Sequence, residues 1–291
     1  MNKISTGFLE ESNFLIKLKV VFKHELIRKL LELKDYIFEK KKKQVFKIKQ
    51  RYSEFEAKKI VFKKDLSLNN NYQISWFYTA FERKDQDPLT NYILHKIDSE
   101  FDFNKSILIT GCGTGIMVFH LSENFYQVDG IDLLEKCISI AKSLKTKFNY
   151  KNTNFYAQDC FNPSISKSYD VITVLHWIYS AWMGNYGNNK ISDPFSKNTR
   201  EDLLKKFLEK YKKFLNPKGI LIIELIDSIA DFRISRDHKA GEASRKIYPV
   251  RHSYSQVKKI SKELNFSILE AKSCFSYGHH PRMVYLLQKN S

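Results

Sequence analysis

The sequence predicts an α/β fold on a mostly parallel sheet, and three observations support this prediction. From residue 105 onward, short apolar segments alternate with longer segments of helical periodicity. This alternation is typical of parallel strands joined by helical crossovers. The first apolar segment ends at a cluster of glycines, and the second ends at an acid. Both features are expected where the strand ends of an open sheet bind a ligand.

Seven apolar segments are predicted as strands. They cover residues 106–110, 126–131, 154–157, 169–175, 220–226, 266–271 and 283–287. Helices are predicted over 117–123 and 134–147, and two more are expected to be capped by Thr199 and Ser253 and to run to Phe214 and Leu264. The segment 216–219, Asn-Pro-Lys-Gly, is predicted as a turn.

Composition bounds the class of protein. The chain has 291 residues, 43% of them hydrophobic, which suffices for one sizeable core and an appendage. No apolar run is long enough to span a membrane, and no secretory signal is expected. The cysteines are far apart and form no CxxC pair, which fits a reduced cytoplasmic setting without a zinc site or a disulfide framework. They are Cys112, Cys137, Cys160 and Cys274.

The N-terminal region is strongly basic. Residues 1–65 hold 18 Lys/Arg against 9 Asp/Glu, in a chain of formal net charge +17. Apolar residues at three/four spacing predict helix over 10–65, interrupted at 40–43, and 69–71 is a predicted linker. We therefore expect a basic helical extension over 1–70 and a main domain over 71–291.

Several roles for this extension stay open. It can pack on the main domain, join two subunits as a homodimer, or lie on an anionic membrane surface as an amphipathic helix. The charge also suits a polyanion, or it reflects the Lys- and Asn-rich composition that AT-rich coding produces.

The glycine cluster Gly111-Cys112-Gly113-Thr114-Gly115 follows the first predicted strand directly. Glycines at this place permit a tight turn and close approach of the backbone to a ligand. Asp132 lies 21 residues after Gly111, a spacing at which a carboxylate commonly binds ribose hydroxyls. A dinucleotide-binding loop would carry a third glycine where Ile116 stands, and no GxxxxGK[ST] loop exists. The loop thus favours a ligand without a pyrophosphate.

These residues resemble the class I S-adenosylmethionine (SAM)-dependent methyltransferase family. The resemblance rests on five motifs in the family's order, at 107–115, 128–132, 154–160, 169–176 and 215–224. Thr110 stands where the family often has an acid or another polar residue. The resemblance implies a Rossmann-like, seven-stranded, mostly parallel sheet with helices on both faces, and SAM as the cofactor.

The resemblance also implies the cofactor-binding residues. In the third-strand motif, the acid Asp159 is expected to face the adenine amino group. Segment 76–83 is similar to an aromatic-Ala-Phe-Glu stretch of bacterial surface-polysaccharide methyltransferases, where a helix covers the cofactor; as an alternative, it fills the core. The expected cofactor contacts are Gly111, Cys112, Gly113, Gly115, Asp132, Leu133, Asp159, Cys160, Leu175, Tyr78 and Arg83.

His176 follows the fourth predicted strand, where the donated methyl group is expected. An imidazole suits a general base at neutral pH, so His176 is the candidate catalytic base for a hydroxyl acceptor. The alternative is a histidine that forms a hydrogen bond without moving a proton. The Asp/Asn-Pro-Pro-Tyr tetrad of many amino-N methyltransferases is absent here, which disfavours that class.

Two insertions, 176–198 and 227–252, are predicted to build the acceptor site. The first insertion is rich in aromatic and amide side chains, which suit a sugar. The second is rich in basic side chains, which suit a phosphate; as an alternative, it is a solvated charged loop. The predicted acceptor contacts are Trp177, Tyr179, Tyr186, Arg233, Arg236 and His238.

The leading expectation is an enzyme that O-methylates a phosphate-bearing sugar or nucleotide-sugar in bacterial capsule or lipopolysaccharide biosynthesis. This acceptor is small and anionic, so no stable nucleic-acid partner is expected, and no metal is predicted. The first alternative is an RNA or protein methyltransferase whose basic N-terminal helices bind a polyanion. The second is a non-catalytic scaffold without affinity for SAM.

Overall fold

The structure is a computed structural model. It describes residues 51, 52, 56, 88–178, 182, 197–226, 250–275 and 281–291. The predicted extension, apart from residues 51, 52 and 56, and the predicted linker lie outside the described residues. At Arg51 and Tyr52 the chain bends rather than forming the predicted helix. No helix in the described part of the chain combines the length and the apolar character needed to cross a membrane.

Strands and helices alternate along most of the described chain. In order they are α1 (Pro88–Glu100), β1 (Ser106–Thr110), α2 (Ile116–Ser122), β2 (Gln127–Asp132), α3 (Glu135–Phe148), β3 (Thr153–Ala157), β4 (Tyr169–Val174), α4 (Lys197–Lys212), β5 (Leu215–Ile226), α5 (Tyr254–Glu263), β6 (Phe266–Phe275) and β7 (Pro281–Lys289).

The seven strands form one mixed sheet in the order β3-β2-β1-β4-β5-β7-β6. Strand β1 pairs in parallel with both β2 and β4, and β2 pairs in parallel with β3. The last two strands, β6 and β7, are antiparallel, with a register shift between Ile268 and Glu270. The Rossmann-like α/β fold predicted from the sequence is confirmed.

The chain divides into two compact units. The first unit comprises residues 45–175 and 214–220. After the N-terminal region, the second unit comprises residues 176–213 and 221–291. Strand β5 contributes to both. The predicted turn at 216–219 lies within the bounds of β5, where Lys218 has φ 60° and a β-carbon on Gly219 would stand 2.9 Å from the Asn216 carbonyl oxygen.

In the first unit, three helices pack around the parallel strands. Helix α2 contacts β2 and β3, α3 contacts the same two strands, and α1 contacts α2. Helix α1 was not among the predicted elements. It begins at Pro88, a residue suited to the first helical turn, and it buries Ile93, Leu94 and Ile97 completely.

In the second unit, α5 contacts α4 and β6. Ser253 caps α5 as predicted, because its side chain accepts from the Gln256 N–H while the Gln256 side chain accepts from the Ser253 N–H. The predicted cap at Thr199 is wrong, since α4 already begins at Lys197. The nearby acid Glu201 contacts Lys259 of α5, at 3.1 Å between Oε2 and Nζ.

Candidate functional site

The glycine loop and Asp132 emerge at the same edge of the sheet. Strands β1 and β2 are parallel, with Thr110 paired to Ile131, so Gly111, directly after β1, and Asp132, the last residue of β2, stand at the same carboxyl edge of the sheet. The Cys112 N–H donates to the Ile131 carbonyl oxygen at 3.0 Å, which extends the contact into the loop. The loop and the acid are therefore neighbours through backbone geometry alone.

Three loop glycines have backbone angles that favour glycine. The φ values are 65° at Gly111, 54° at Gly113 and 89° at Gly115. At Gly115, a β-carbon would stand 2.7 Å from the Phe155 ring, so the loop packs directly against β3 there. At Gly113, no heavy atom of the described residues would lie within 4 Å of a β-carbon. The space beside this glycine is therefore open to a ligand.

Asp132 holds the loop in this conformation. Its Oδ2 accepts from the Gly113 N–H at 2.8 Å, and its Oδ1 accepts from the Leu134 N–H at 2.9 Å. Burial raises the pKa of this carboxyl, and the two backbone N–H groups oppose that shift. An ionised carboxylate has about four lone-pair sites, so each oxygen retains capacity for another donor. The site thus fits a ligand with two adjacent hydroxyls, such as a ribose.

Cys112 and Cys160, both predicted cofactor contacts, are buried free thiols. A β-carbon on Gly130 would lie 2.8 Å from the Cys112 sulfur, so glycine in β2 makes room for this side chain. Burial is the first cause that raises the pKa of both thiols, and Asp132 adds to it. Neutral thiols of this kind are poor nucleophiles.

The remaining described cofactor candidates occupy different environments. Asp159 is partly buried, and its Oδ1 accepts from the Phe161 N–H at 2.8 Å. Leu133 is 37% exposed, whereas Leu175 is buried. The hydroxyl of Thr110 donates to the Thr173 carbonyl oxygen at 2.7 Å. This hydrogen bond joins β1 to β4. Tyr78 and Arg83 lie outside the described residues.

In the second unit, His176 contacts the buried ion pair of Glu224 and Arg282. Its backbone has φ 67°, unusual for a residue other than glycine, and its N–H donates to Glu224 Oε2 at 2.7 Å. Arg282 Nη1 donates to Glu224 Oε1 at 2.6 Å. The side chain of Glu224 is fully buried, that of Arg282 is 10% exposed, and that of His176 is 17% exposed.

The ring of His176 contacts both charges through one nitrogen. Its Nδ1 lies 3.3 Å from Arg282 Nη1 and 3.4 Å from Glu224 Oε2. A neutral imidazole nitrogen either donates or accepts, so the two contacts favour opposite tautomers. This cluster of His176, Glu224 and Arg282 is the only described group in which a predicted catalytic residue contacts an ion pair.

Sequence reasoning missed two members of this cluster. Glu224 stands in the fifth-strand motif but was not assigned a role, and Arg282 was not singled out. The signal was present, because Glu224 is the one charged residue in the apolar run 220–226. A charge in a buried strand requires a partner, and here Arg282 of β7 supplies it.

The described aromatic residues of the first insertion are packed inside the second unit. Trp177 is 9% exposed and its ring lies 6.0 Å from that of Phe207. Trp182 is 2% exposed and contacts Phe207 and His252. In the second insertion, Arg251 and His252 are each 1% exposed, so neither belongs to a solvated loop. The other predicted acceptor contacts lie outside the described residues: Tyr179, Tyr186, Arg233, Arg236 and His238.

Comparisons with known proteins agree with this geometry. A family model described as "Methyltransferase domain" matches residues 102–271. Malonyl-[acyl-carrier protein] O-methyltransferase of Bacillus anthracis is 35% identical over 91 residues, covering 30% of this chain and 33% of that protein. Ubiquinone biosynthesis O-methyltransferase of Rickettsia bellii is 29% identical over 139 residues, covering 47% of this chain and 49% of that protein.

Each match thus spans no more than about half the length of these curated relatives. Among solved structures, an S-adenosylmethionine-dependent methyltransferase from Clostridium acetobutylicum superimposes with a TM-score of 0.53. It is 18% identical, and the match covers 76% of this chain and all of that one, which shows a shared fold.

Proposed function

From the premise that this chain belongs to the methyltransferase-domain family, we propose that it is a SAM-dependent O-methyltransferase. The observation that carries the proposal is the hydrogen bond from Gly113 N–H to Asp132 Oδ2. This hydrogen bond joins an open glycine loop to a carboxylate whose oxygens can accept further hydrogen bonds from ribose hydroxyls. Asp159 is the proposed partner of the adenine amino group.

SAM supplies a methyl group on a positively charged sulfur, which is already a good leaving group. The protein's contribution to such a displacement is alignment and exclusion of water. The proposed residues for the donor are the loop glycines, Cys112, Asp132, Leu133, Asp159, Cys160 and Leu175, with Tyr78 and Arg83 from the segment before the core.

We propose a small anionic acceptor, such as a phosphate-bearing sugar or nucleotide-sugar used in capsule or lipopolysaccharide biosynthesis. Three features support it: the net charge of +17, the basic second insertion, and the resemblance of segment 76–83 to surface-polysaccharide enzymes. The names of the Bacillus anthracis and Rickettsia bellii relatives include O-methyltransferase, which supports oxygen as the accepting atom. His176 is proposed to contact this acceptor.

Titration of the purified protein with SAM by calorimetry tests the cofactor. Incubation with SAM and a panel of nucleotide-sugars, followed by S-adenosylhomocysteine release, tests the activity. A SAM titration that shows no binding heat and no saturation would refute the proposal and favour the non-catalytic scaffold. His176→Ala is expected to keep SAM binding while lowering turnover; unchanged turnover would remove His176 from the acceptor site.

The alternative with a polyanionic acceptor rests on the excess of basic residues in 1–65. Electrostatic binding to nucleic acid weakens steeply as salt concentration rises, because condensed counterions are released on binding. Measuring the affinity for a labelled RNA at two salt concentrations separates the alternatives. Tight binding that falls with salt, together with RNA methylation, would favour the polyanion.

A further inference from the structure

The outer edge of β3 and the exposed face of α3 border one groove in the first unit. We propose that this groove binds an extended acidic segment of a partner protein, which adds to the sheet beside β3 and places its carboxylates against Lys142 and Lys147. The inference goes beyond the proposed methyl transfer and does not depend on it.

The first step concerns the edge of the sheet. Strand β3 is the first strand in the order of the sheet, so one of its edges faces no described strand. On the other edge, the Gln158 N–H donates to the carbonyl oxygen of Asp132 in β2 at 2.9 Å. Backbone groups of successive residues in a strand alternate between its two edges. The N–H and C=O groups of Thr153, Phe155 and Ala157 therefore face outward.

One of these outward groups is already occupied. The carbonyl oxygen of Thr153 accepts a hydrogen bond from Lys145 Nζ, as its outward direction requires. A lysine on an edge strand protects the edge against unspecific pairing. Among the described residues, no hydrogen bond satisfies the outward groups of Phe155 and Ala157. An extended segment that lies beside β3 would pair with these groups, as in other complexes in which a peptide adds a strand to a sheet.

The second step concerns charge. The groove has a volume of about 780 Å³ and lies between α3 and Ala157. Lys142 and Lys147 line it and are exposed, and the described chain offers neither of them an ion pair. Lys147 Nζ lies 4.9 Å from the centre of the Phe148 ring. The groove is also lined by the hydroxyl residues Ser139, Ser143 and Thr146. Lysines without acidic partners favour an acidic occupant.

The third step gives the sequence pattern of the partner. Successive side chains of a strand point to opposite faces of the sheet. Ala157 lies on the side of α3, whereas its neighbour Tyr156, which is 40% exposed, lies on the other side. An added segment would thus present one set of side chains to the lysines and the alternate set to the Tyr156 ring. We therefore expect acidic and apolar residues in alternation. A second copy of β3 fits less well, because residues 153–157 contain no acid.

Binding is tested with the full chain and a fluorescent peptide that alternates glutamate and valine; a peptide with lysine in place of glutamate is the control. We expect saturable binding of the acidic peptide alone, weakening as salt screens the charges. The double variant Lys142→Glu/Lys147→Glu is expected to bind it about tenfold more weakly or worse and to bind the lysine peptide instead. This gain of binding shows that the variant is folded. Lys258→Glu/Lys262→Glu makes the same change of charge on α5 and is expected to bind as the wild type does.

Amide hydrogen exchange, followed by NMR, tests the position of the peptide. We expect the peptide to slow exchange at the N–H groups of Phe155 and Ala157, which face outward, and to leave that of Tyr156 unchanged. Three results would overturn the inference: no saturable binding, an equal loss of affinity in both double variants, or binding without protection at β3. Protection at β3 without peptide, together with self-association in light scattering, would identify a second copy as the occupant and would also overturn it.

Discussion

The Phe155 ring lies 2.7 Å from the position that a β-carbon on Gly115 would occupy. Gly115 also has φ 89° and forms the N-cap of α2, where its carbonyl oxygen accepts from the Phe119 N–H at 2.8 Å. The strand β3 therefore limits the residue type at the end of the loop. The same loop is open at Gly113, two residues earlier.

This contrast predicts different outcomes for two alanine variants. Gly115→Ala is expected to lower the free energy of unfolding by about 2–4 kcal/mol, from backbone strain plus overpacking against Phe155. Gly113→Ala is expected to cost only the strain, about 1–2 kcal/mol. It is also expected to weaken SAM binding, because the added methyl group would enter the open space proposed for the ligand. Urea unfolding and SAM calorimetry measure the two effects. Equal stability losses would contradict the packing argument.

Asp132 predicts a pH-dependent affinity for SAM. Burial raises the pKa of this carboxyl. The ribose hydroxyls are expected to donate to the ionised form. Affinity is therefore full above the raised pKa and falls as pH drops through it, at a pH above the ordinary range of an aspartate. Calorimetric titrations across this range measure the effect.

The control for this prediction is Asp132→Asn, whose affinity is expected to be weaker and independent of pH over the same range. The variant also places an NH2 group against one of two backbone donors, which costs about 1–3 kcal/mol of stability. An affinity for SAM that is equally flat in the wild type would contradict the assigned contact.

The arrangement of the glycine loop beside Asp132 was predictable because local chemistry determines it. Strand β1, the glycines and Asp132 follow one another closely in the chain, and parallel pairing alone brings them to one edge. Ser253 likewise caps α5 through a residue three positions away. Helix α1 was missed although Pro88 and the buried triplet Ile93, Leu94 and Ile97 marked it.

The His176 cluster was not predictable in the same way. His176 and Arg282 are 106 residues apart, and no local pattern pairs them. The charge of Glu224 in an apolar strand indicates that some partner exists, but only the fold identifies Arg282. The predicted cap at Thr199 failed for a smaller reason: helix ends fray, and the first turn of α4 begins two residues earlier, at Lys197.

Tyr52 predicts how the segment before the core is anchored to the first unit. It is 4% exposed, and its ring lies 5.6 Å from that of Phe119 and 5.3 Å from that of Phe148. Tyr52→Ala is expected to cost about 3–5 kcal/mol in the free energy of unfolding, as for other buried aromatic residues. Tyr52→Phe keeps the ring and serves as the control. Thermal unfolding that treats both variants alike would contradict this anchoring role.

The salt bridge between Arg51 and Glu123 allows the electrostatic contribution to stability to be measured separately from the burial of Tyr52. Arg51 Nε lies 2.7 Å from Glu123 Oε1, and the Arg51 N–H donates to the Tyr150 hydroxyl at 2.7 Å. Because the Arg51 side chain is 44% exposed, Arg51→Ala is expected to cost only about 0–1 kcal/mol. A loss comparable to that of Tyr52→Ala would show that charge, rather than aromatic burial, anchors the segment.

His252 predicts a loss of stability in mild acid. Its Nε2 donates to the Arg200 carbonyl oxygen at 2.9 Å, and burial lowers its pKa to about 4. The unfolded chain binds a proton near the ordinary value of 6.5, so between these values the unfolded state holds more protons than the folded one. The contribution is therefore complete above pH 6.5 and is lost as pH falls toward 4, by about 3 kcal/mol in total.

The matched control is His252→Gln, in which the amide can donate to the same carbonyl but does not titrate. Denaturant unfolding of both proteins at closely spaced pH values isolates the histidine, because other groups titrate equally in the two series. The difference in unfolding free energy is expected to shrink or reverse as pH falls through this window. Parallel curves would mean that His252 binds its proton equally well in the folded and unfolded chains.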